Sequence, residues 1–187
     1  MVEKLEQYHP KEIATFDPFR AKDALDDESI LAEIEGRILD RWVYTFLQDG
    51  KEISGLSKEG VDQACLELSR QGQQIRENEI TYQVDPSNPQ YILFTAKVSR
   101  HLVDAKGTEL HLENIIGTKR QWLKFAPKSG GIKDDPFWYE KGAMKALRNA
   151  RMRLIPEEIK SKIIALAKKT GKTKTVKDPT PPKSTPD

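Results

Sequence analysis

The spacing of apolar and polar positions changes several times along the chain, and each change marks an element. After Ser29, a good N-cap, Ile30, Leu31, Ile34 and Ile38 recur at helical spacing and predict a helix from about Ile30 to Asp40. Trp42 to Phe46 reads as a strand, Asp49-Gly50 as a two-residue hairpin connection, and Lys51 to Leu56 as the return strand. Ser57 caps a second helix with Val61, Ala64, Cys65 and Leu68 on its apolar side, running to about Gln71 and stopping at Gly72. Glu79 to Val84 alternates as a strand does, and Asp85-Pro86-Ser87-Asn88-Pro89 is a turn cluster. Tyr91 to Leu102 is a long strand, with Ile92, Phe94, Ala96 and Val98 on one face and Tyr91, Leu93, Thr95 and Lys97 on the other. Its partner, Thr108 to Ile116, follows the Asp104–Gly107 turn and places Leu110, Leu112, Asn114 and Ile116 on one face. Gly117 is expected to bend or bulge the chain into Thr118–Phe125.

The stretch Phe137–Pro156 is the most informative. On a helical wheel, Ala143, Ala146, Leu147, Ala150 and Leu154 form an apolar stripe, while Lys141, Lys145 and Arg148 form a basic row on the opposite side. No acid lies between Lys141 and Ile155 to neutralise that row. Solvated helices usually mix signs along a face, so an unmixed basic row calls for an anionic partner. Pro156 then opens a helix over Glu157–Lys169, at the position where proline is tolerated.

These elements define an α+β fold: a curved antiparallel meander with helices packed on one face, as one unit. Residues 1–27 form an acidic, weakly structured segment, with His9-Pro10 and Asp17-Pro18 as breaks. Residues 28–170 form the single domain, and 171–187 a disordered tail rich in proline and lysine.

Composition adds limits. At 187 residues, with 37% hydrophobic and 32% charged, the chain is a very polar globular protein. No apolar run approaches the roughly 20 residues of a membrane span, and no signal peptide is recognisable. A lone Cys65 excludes an intrachain disulfide and fits a reducing, cytoplasmic setting. Charge is uneven. Residues 1–40 hold five Lys/Arg against eleven acids, whereas residues 160–187 hold eight Lys against two acids. That asymmetry implies head-to-tail contact between protomers, an acidic segment shielding a basic groove, or simply solubility.

Three segments carry a family resemblance: the hairpin and helix YTFLQDGKEISGLSKEGVDQACLEL, the meander YILFTAKVSRHLVDAKGTELHLENIIGT, and the helix EKGAMKALRNARMRLIP. Together, over about residues 42–156, they resemble the single-strand annealing proteins of the Rad52 kind and their phage relatives. The resemblance implies a ring or filament of protomers that binds single-stranded DNA in a basic groove and pairs complementary strands without ATP, in recombination or repair.

The residue chemistry stands beside it. Cations for a phosphate backbone are Lys97 and Arg100 on the long strand, Lys119, Arg120 and Lys124 beyond Gly117, and Lys141, Lys145, Arg148, Arg151 and Arg153 on the helix. A helix laid across the sheet would let both sets line one cleft. Trp138 or Tyr139 would stack on a base, although such residues at a helix start more often anchor a core. The basic, Gly-rich KSGGIK loop lacks phosphate-loop spacing.

Catalysis finds little footing. His101 and His111 face each other across a hairpin without an evident third metal ligand, and Cys65 reads as core. Glu77, Glu79 and Asp85 with Lys97 only loosely approximate a nuclease site. No cofactor, metal, membrane or small-molecule substrate is expected. The competing reading is an oligomeric adaptor or structural protein whose basic helix meets an acidic partner, including its own acidic head.

Overall fold

The computed structural model describes residues 18–48, 50–125 and 131–176. The expectations for residues 1–17, for Asp49, for residues 128–130 of the KSGGIK loop and for 177–187 fall outside the described residues.

The fold is mixed α+β, with four helices among the described residues and mainly antiparallel sheets. Helix α1 (Pro18–Ile34) precedes the hairpin β1 (Val43–Gln48) and β2 (Lys51–Leu56), then α2 (Lys58–Arg70). The long strands β3 (Gln73–Val84), β4 (Tyr91–Val103) and β5 (Glu109–Trp122) form an antiparallel sheet in that order. The short pair β6 (Lys124–Phe125) and β7 (Lys133–Asp134) leads into α3 (Trp138–Leu154) and α4 (Glu157–Lys169), and β8 (Thr173–Thr175) closes the described chain.

Most of the hydrophobic pattern is realised. The β1–β2 register runs from Val43↔Leu56 to Gln48↔Lys51. Ser57 caps α2, its hydroxyl accepting from the Gly60 N–H at 3.1 Å. Ile92, Phe94, Ala96 and Val98 are buried beneath Ala143, Ala146, Ala150 and Leu154 of α3. A second core joins Val43 and Leu56 to Val61, Ala64 and Leu68 of α2 and Ile159, Ile163 and Ala167 of α4. The helices therefore serve two sheets, where one continuous meander is predicted. Ile75 on β3 packs against both cores.

Four local differences have physical causes. The first helix occupies Pro18–Ile34 rather than Ile30–Asp40, so residues 18–27, expected to be weakly structured, are helical. Pro18 stands in the first turn, where its missing N–H leaves no bond unmade. The helix stops at Gly36 (φ 74°). The Arg37 N–H donates to the Ala32 carbonyl and the Gly36 N–H to the Glu33 carbonyl, the paired bonds of a Schellman cap.

Gly117 neither bends nor bulges its strand. β5 runs through it continuously, and the irregularity in the β4–β5 ladder lies at Arg100/His101. The absence of a side chain at Gly117 instead admits α3, as a Cβ there would sit 2.2 Å from the Ala150 nitrogen and 2.6 Å from the Ala146 oxygen.

Ile116 is exposed because it stands opposite Lys97 on the sheet face turned away from α3, whereas Leu112 falls at the Arg100/His101 irregularity and Leu110, opposite Leu102, is exposed past the core that α3 covers. Finally, the tail does not become irregular at Gly171. β8 pairs in parallel with β1, and the Trp42 N–H donates to the Lys172 carbonyl while the Val176 N–H donates to that of Thr45. Thr175 and Thr45 hydroxyls meet at 3.3 Å, and the Lys172 ammonium lies 4.0 Å from the Trp42 ring centre.

Candidate nucleic-acid interface

Helix α3 lies between the β3–β5 sheet and α1, so both of its faces are covered. That placement overturns the expected exposure of the basic row. Lys141, Lys145 and Arg148 are 5%, 3% and 4% exposed. Each finds a carboxylate from elsewhere in the chain. Lys141 donates to Asp135 at 2.7 Å, Lys145 lies 2.5 Å from Asp27, and Arg148 lies 3.0 Å from Asp26. Burying an unpaired charge is prohibitive, so a buried basic row requires such partners.

The partners of Lys145 and Arg148 come from the acidic head. Asp23, Asp26 and Asp27 fall at i, i+3, i+4 on α1, one helical face. Asp23 pairs with Lys119, which the β4–β5 register places opposite Phe94, on the sheet face that α3 covers. Gln121, two positions along the same face, accepts from Lys145 at 3.4 Å. Lys119, Lys145 and Arg148 thus converge in one crevice between β5 and α3, and α1 fills it. Lys22 of α1 enters the same cluster, 5.4 Å from the Tyr44 ring centre. Burial first, and then the nearby Arg148, pull its ammonium down to about 8. Burial likewise raises the Asp26 carboxyl above its usual range, against the opposing pull of Arg148.

The α1 contact is imperfect. Asp26 Oδ2 and Asp27 Oδ1 lie within ion-pair range of their cations but make no hydrogen bond among the described residues, which offer no acceptor to Arg148 Nε and Nη1. A cavity of about 360 Å³ lined by Glu33, Met144, Leu147, Arg148 and Arg151 flanks the helix on one side. A second, of about 220 Å³, lies between Ser29, Glu33, Trp42 and Glu59. Ile30 and Ala32 are buried, and a fully buried Ile contributes about 1.5–3 kcal/mol. Buried ion pairs roughly break even against apolar substitutes, so the three pairs to Asp23, Asp26 and Asp27 add specificity more than stability.

The remaining predicted cations go elsewhere. Lys97 and Arg120 lie on the sheet face opposite α3, where Lys97 pairs with Glu79. Arg120 pairs with Asp85 and sits 4.4 Å from the Tyr91 ring centre. A single cleft holding the strand and helix cations is therefore not formed: the sheet itself separates Lys97 and Arg120 from Lys145. Arg100 pairs with Glu113, and Arg151 with Asp62 and Glu77. Arg153 donates to the Ile116 carbonyl at 2.5 Å, and Lys124 is half-buried on β6. Leu147, predicted at the centre of the apolar stripe, is only half-buried at the rim of its core.

Trp138 and Tyr139 join Phe94 and Tyr82 in a four-ring cluster with centroid separations of 5.5–5.9 Å. Trp138 packs against the core, whereas Tyr139 and Tyr82 are exposed and present ring surface to solvent.

Catalytic constellations are sparse. His101 and His111 do meet edge to face, 5.2 Å apart, yet among the described residues no three His, Cys, Asp or Glu are grouped to hold a metal ion. Ser99 Oγ lies 2.9 Å from His101 Nε2, whose Nδ1 is 3.8 Å from Glu109. The order resembles a nucleophile relay, but Ser99 is 2% exposed and tied to the Asn78 amide at 3.1 Å. Glu77, Glu79 and Asp85 are paired to three different cations rather than gathered. Burial pushes the Cys65 thiol up to about 11. No helix among the described residues is long and apolar enough to cross a membrane.

Comparison with known proteins adds little. The chain matches no family model and no curated protein. Among solved structures it is similar to Aln2 from a Streptomyces species, at 12% identity over 63% of this chain and 79% of that one, with a TM-score of 0.27. It is similar also to a phenazine biosynthesis-related protein (phzb2) from Pseudomonas aeruginosa, at 11% identity over 76% of this chain and 90% of that one, with a TM-score of 0.25. Likeness at this level carries no argument about fold or function.

Proposed function

We propose that this protein binds single-stranded DNA and anneals complementary strands without ATP, as a Rad52-like homo-oligomer acting in recombination or repair. The observation that carries the reading is the convergence of Lys119, Lys145 and Arg148 in the crevice between β5 and α3, a cluster whose charge Asp23, Asp27 and Asp26 match while α1 is docked. A phosphate backbone supplies regularly spaced negative charge, and cations in a groove beside exposed rings are what sequence-tolerant single-strand binding uses. Tyr139 and Tyr82 offer such rings near the N-terminal end of α3. The test is anisotropy of a labelled oligothymidylate over a salt series, followed by annealing of two complementary oligonucleotides with no nucleotide added. Binding whose log K falls by about 0.7 per phosphate contact with log salt supports the reading. Absence of binding at about 50 mM salt overturns it.

A second reading, a self-associating adaptor with no nucleic-acid role, is favoured by a different observation. Leu102 and Leu110 face each other in register at the far end of the β4–β5 ladder, and both are exposed together with Leu112. Exposed apolar groups at an open sheet end are a natural contact for another copy. L102K with L110K should lower the mass measured by light scattering and leave the melting temperature unchanged. Retention of the wild-type mass would rule out this patch as the contact.

A further inference from the structure

The acidic head and the basic row, which look like separate sequence features, are two halves of one contact. Three of the properties of that contact set it apart from the two cores. Its polar atoms are incompletely satisfied among the described residues, with Arg148 Nε and Nη1 lacking acceptors there although Arg148 is almost wholly buried. Two cavities that meet at Glu33, Lys58 and Asp62 adjoin its C-terminal part, one of them lined by Arg148 itself. And α1 is joined to the hairpin by residues 35–40, since Arg41 and Trp42 are already bonded to Ser57 and Lys172; the extended reach of that segment, about 20 Å, lets the helix leave without disturbing the hairpin. Ile38, within that segment, is 90% exposed.

Resting on the reading proposed above, we infer that α1 is a displaceable internal mimic of a phosphate backbone: Asp23, Asp26 and Asp27 occupy the positions that phosphates of a single strand take, and strand binding and α1 docking exclude each other. The geometry supports this at each pair. Asp23 holds Lys119, Asp26 holds Arg148 and Asp27 holds Lys145, so removing one helix frees three cations on two elements at once. The freed Arg148 guanidinium then has unfilled N–H donors beside a cavity, which an incoming phosphate can accept from in bidentate fashion.

The exchange has a measurable signature. Phosphates that replace carboxylates release fewer counterions overall, because the displaced Asp23, Asp26 and Asp27 regain theirs. The wild type should therefore show a shallower salt dependence than a chain whose α1 is neutral, by about 2 in slope for three contacts at about 0.7 each.

The experiment compares full-length wild type with the D23N/D26N/D27N variant, titrating labelled oligothymidylate over a salt series. The variant should bind about tenfold or more tightly at 0.1 M salt and show the steeper slope. If both proteins bind equally, α1 is not the competitor, and the nucleic-acid reading survives without it. If neither binds, both fall. Should the variant fail to fold, hydrogen exchange on the wild type decides. Saturating oligothymidylate should remove protection from amides of residues 22–34 while leaving the β4–β5 ladder protected. Unchanged protection of α1 in a saturated complex overturns the inference, as does loss of protection with polyglutamate but not with the oligonucleotide.

Discussion

Gly117 of β5 and Ala150 of α3 meet backbone to backbone, with the Ala150 nitrogen 2.2 Å from where a Gly117 Cβ would stand. Neither partner is a flexible side-chain end, so the clash cannot be relieved by a rotamer change. Opposite Gly117 in the ladder stands Ala96, also fully buried, and the two small residues together let α3 lie close on the sheet. G117A should destabilise the fold by about 2 kcal/mol or more, a fall of roughly 5 °C in melting temperature. Wild-type melting in that variant would mean that α3 does not press on β5 at this point.

The Lys141–Asp135 pair makes a second test, because both side chains are almost wholly buried. D135A leaves the Lys141 ammonium without a partner and removes the acceptor for the Phe137 N–H, which now donates at 3.0 Å. Denaturant unfolding should show a loss of about 3–5 kcal/mol. K141M with D135A should recover a good part of that loss, since the stranded charge is gone. A double variant no more stable than D135A alone would place the energy in the lost Phe137 bond instead.

The Cys65 thiol gives a prediction about pH. Burial holds it at about 11, so at pH 8 its thiolate fraction is roughly 100-fold below that of a thiol at its ordinary value of 9.0. Alkylation by iodoacetamide should be slow in the folded protein at pH 8, accelerate steadily up to about pH 11, and become fast on unfolding. The sign follows from the same shift: a group whose proton is held more tightly when folded weakens the fold as pH rises between about 9 and 11. Equal alkylation rates in native and denatured protein would contradict the burial.

The tail separates into two parts. Truncation after Val176 leaves every bond of β8 in place and should leave melting unchanged. Truncation after Thr170 removes β8, uncovers the edge of β1, and takes away the Lys172–Trp42 and Thr175–Thr45 contacts. That shorter chain should melt several degrees lower. Identical melting of the two truncations would show that β8 contributes nothing.

The sequence by itself determined the elements whose signals are local. Alternation placed Ile92, Phe94, Ala96 and Val98 on one buried face, Ser57 marked the start of α2, and Gly50 marked the tight connection behind the Gln48↔Lys51 register, because each depends on residues within a few positions of one another. The stop at Gly36 was missed, because Ile38 continues the apolar spacing toward Asp40; the signal for it was the glycine directly after the last helical turn. Only the tertiary structure decided what covers each face. A wheel separates an apolar stripe from a basic row, yet it cannot say whether water, a ligand or another helix meets the second. Here Asp26 and Asp27, far away in sequence, meet Arg148 and Lys145, Asp135 meets Lys141, and Asp23 on the same face of α1 reaches Lys119 of β5; the signal was the i, i+3, i+4 spacing of the three α1 acids. The sheet face given to Lys119 and denied to Lys97 and Arg120 was likewise a matter of register between strands, which charge spacing within either strand does not encode.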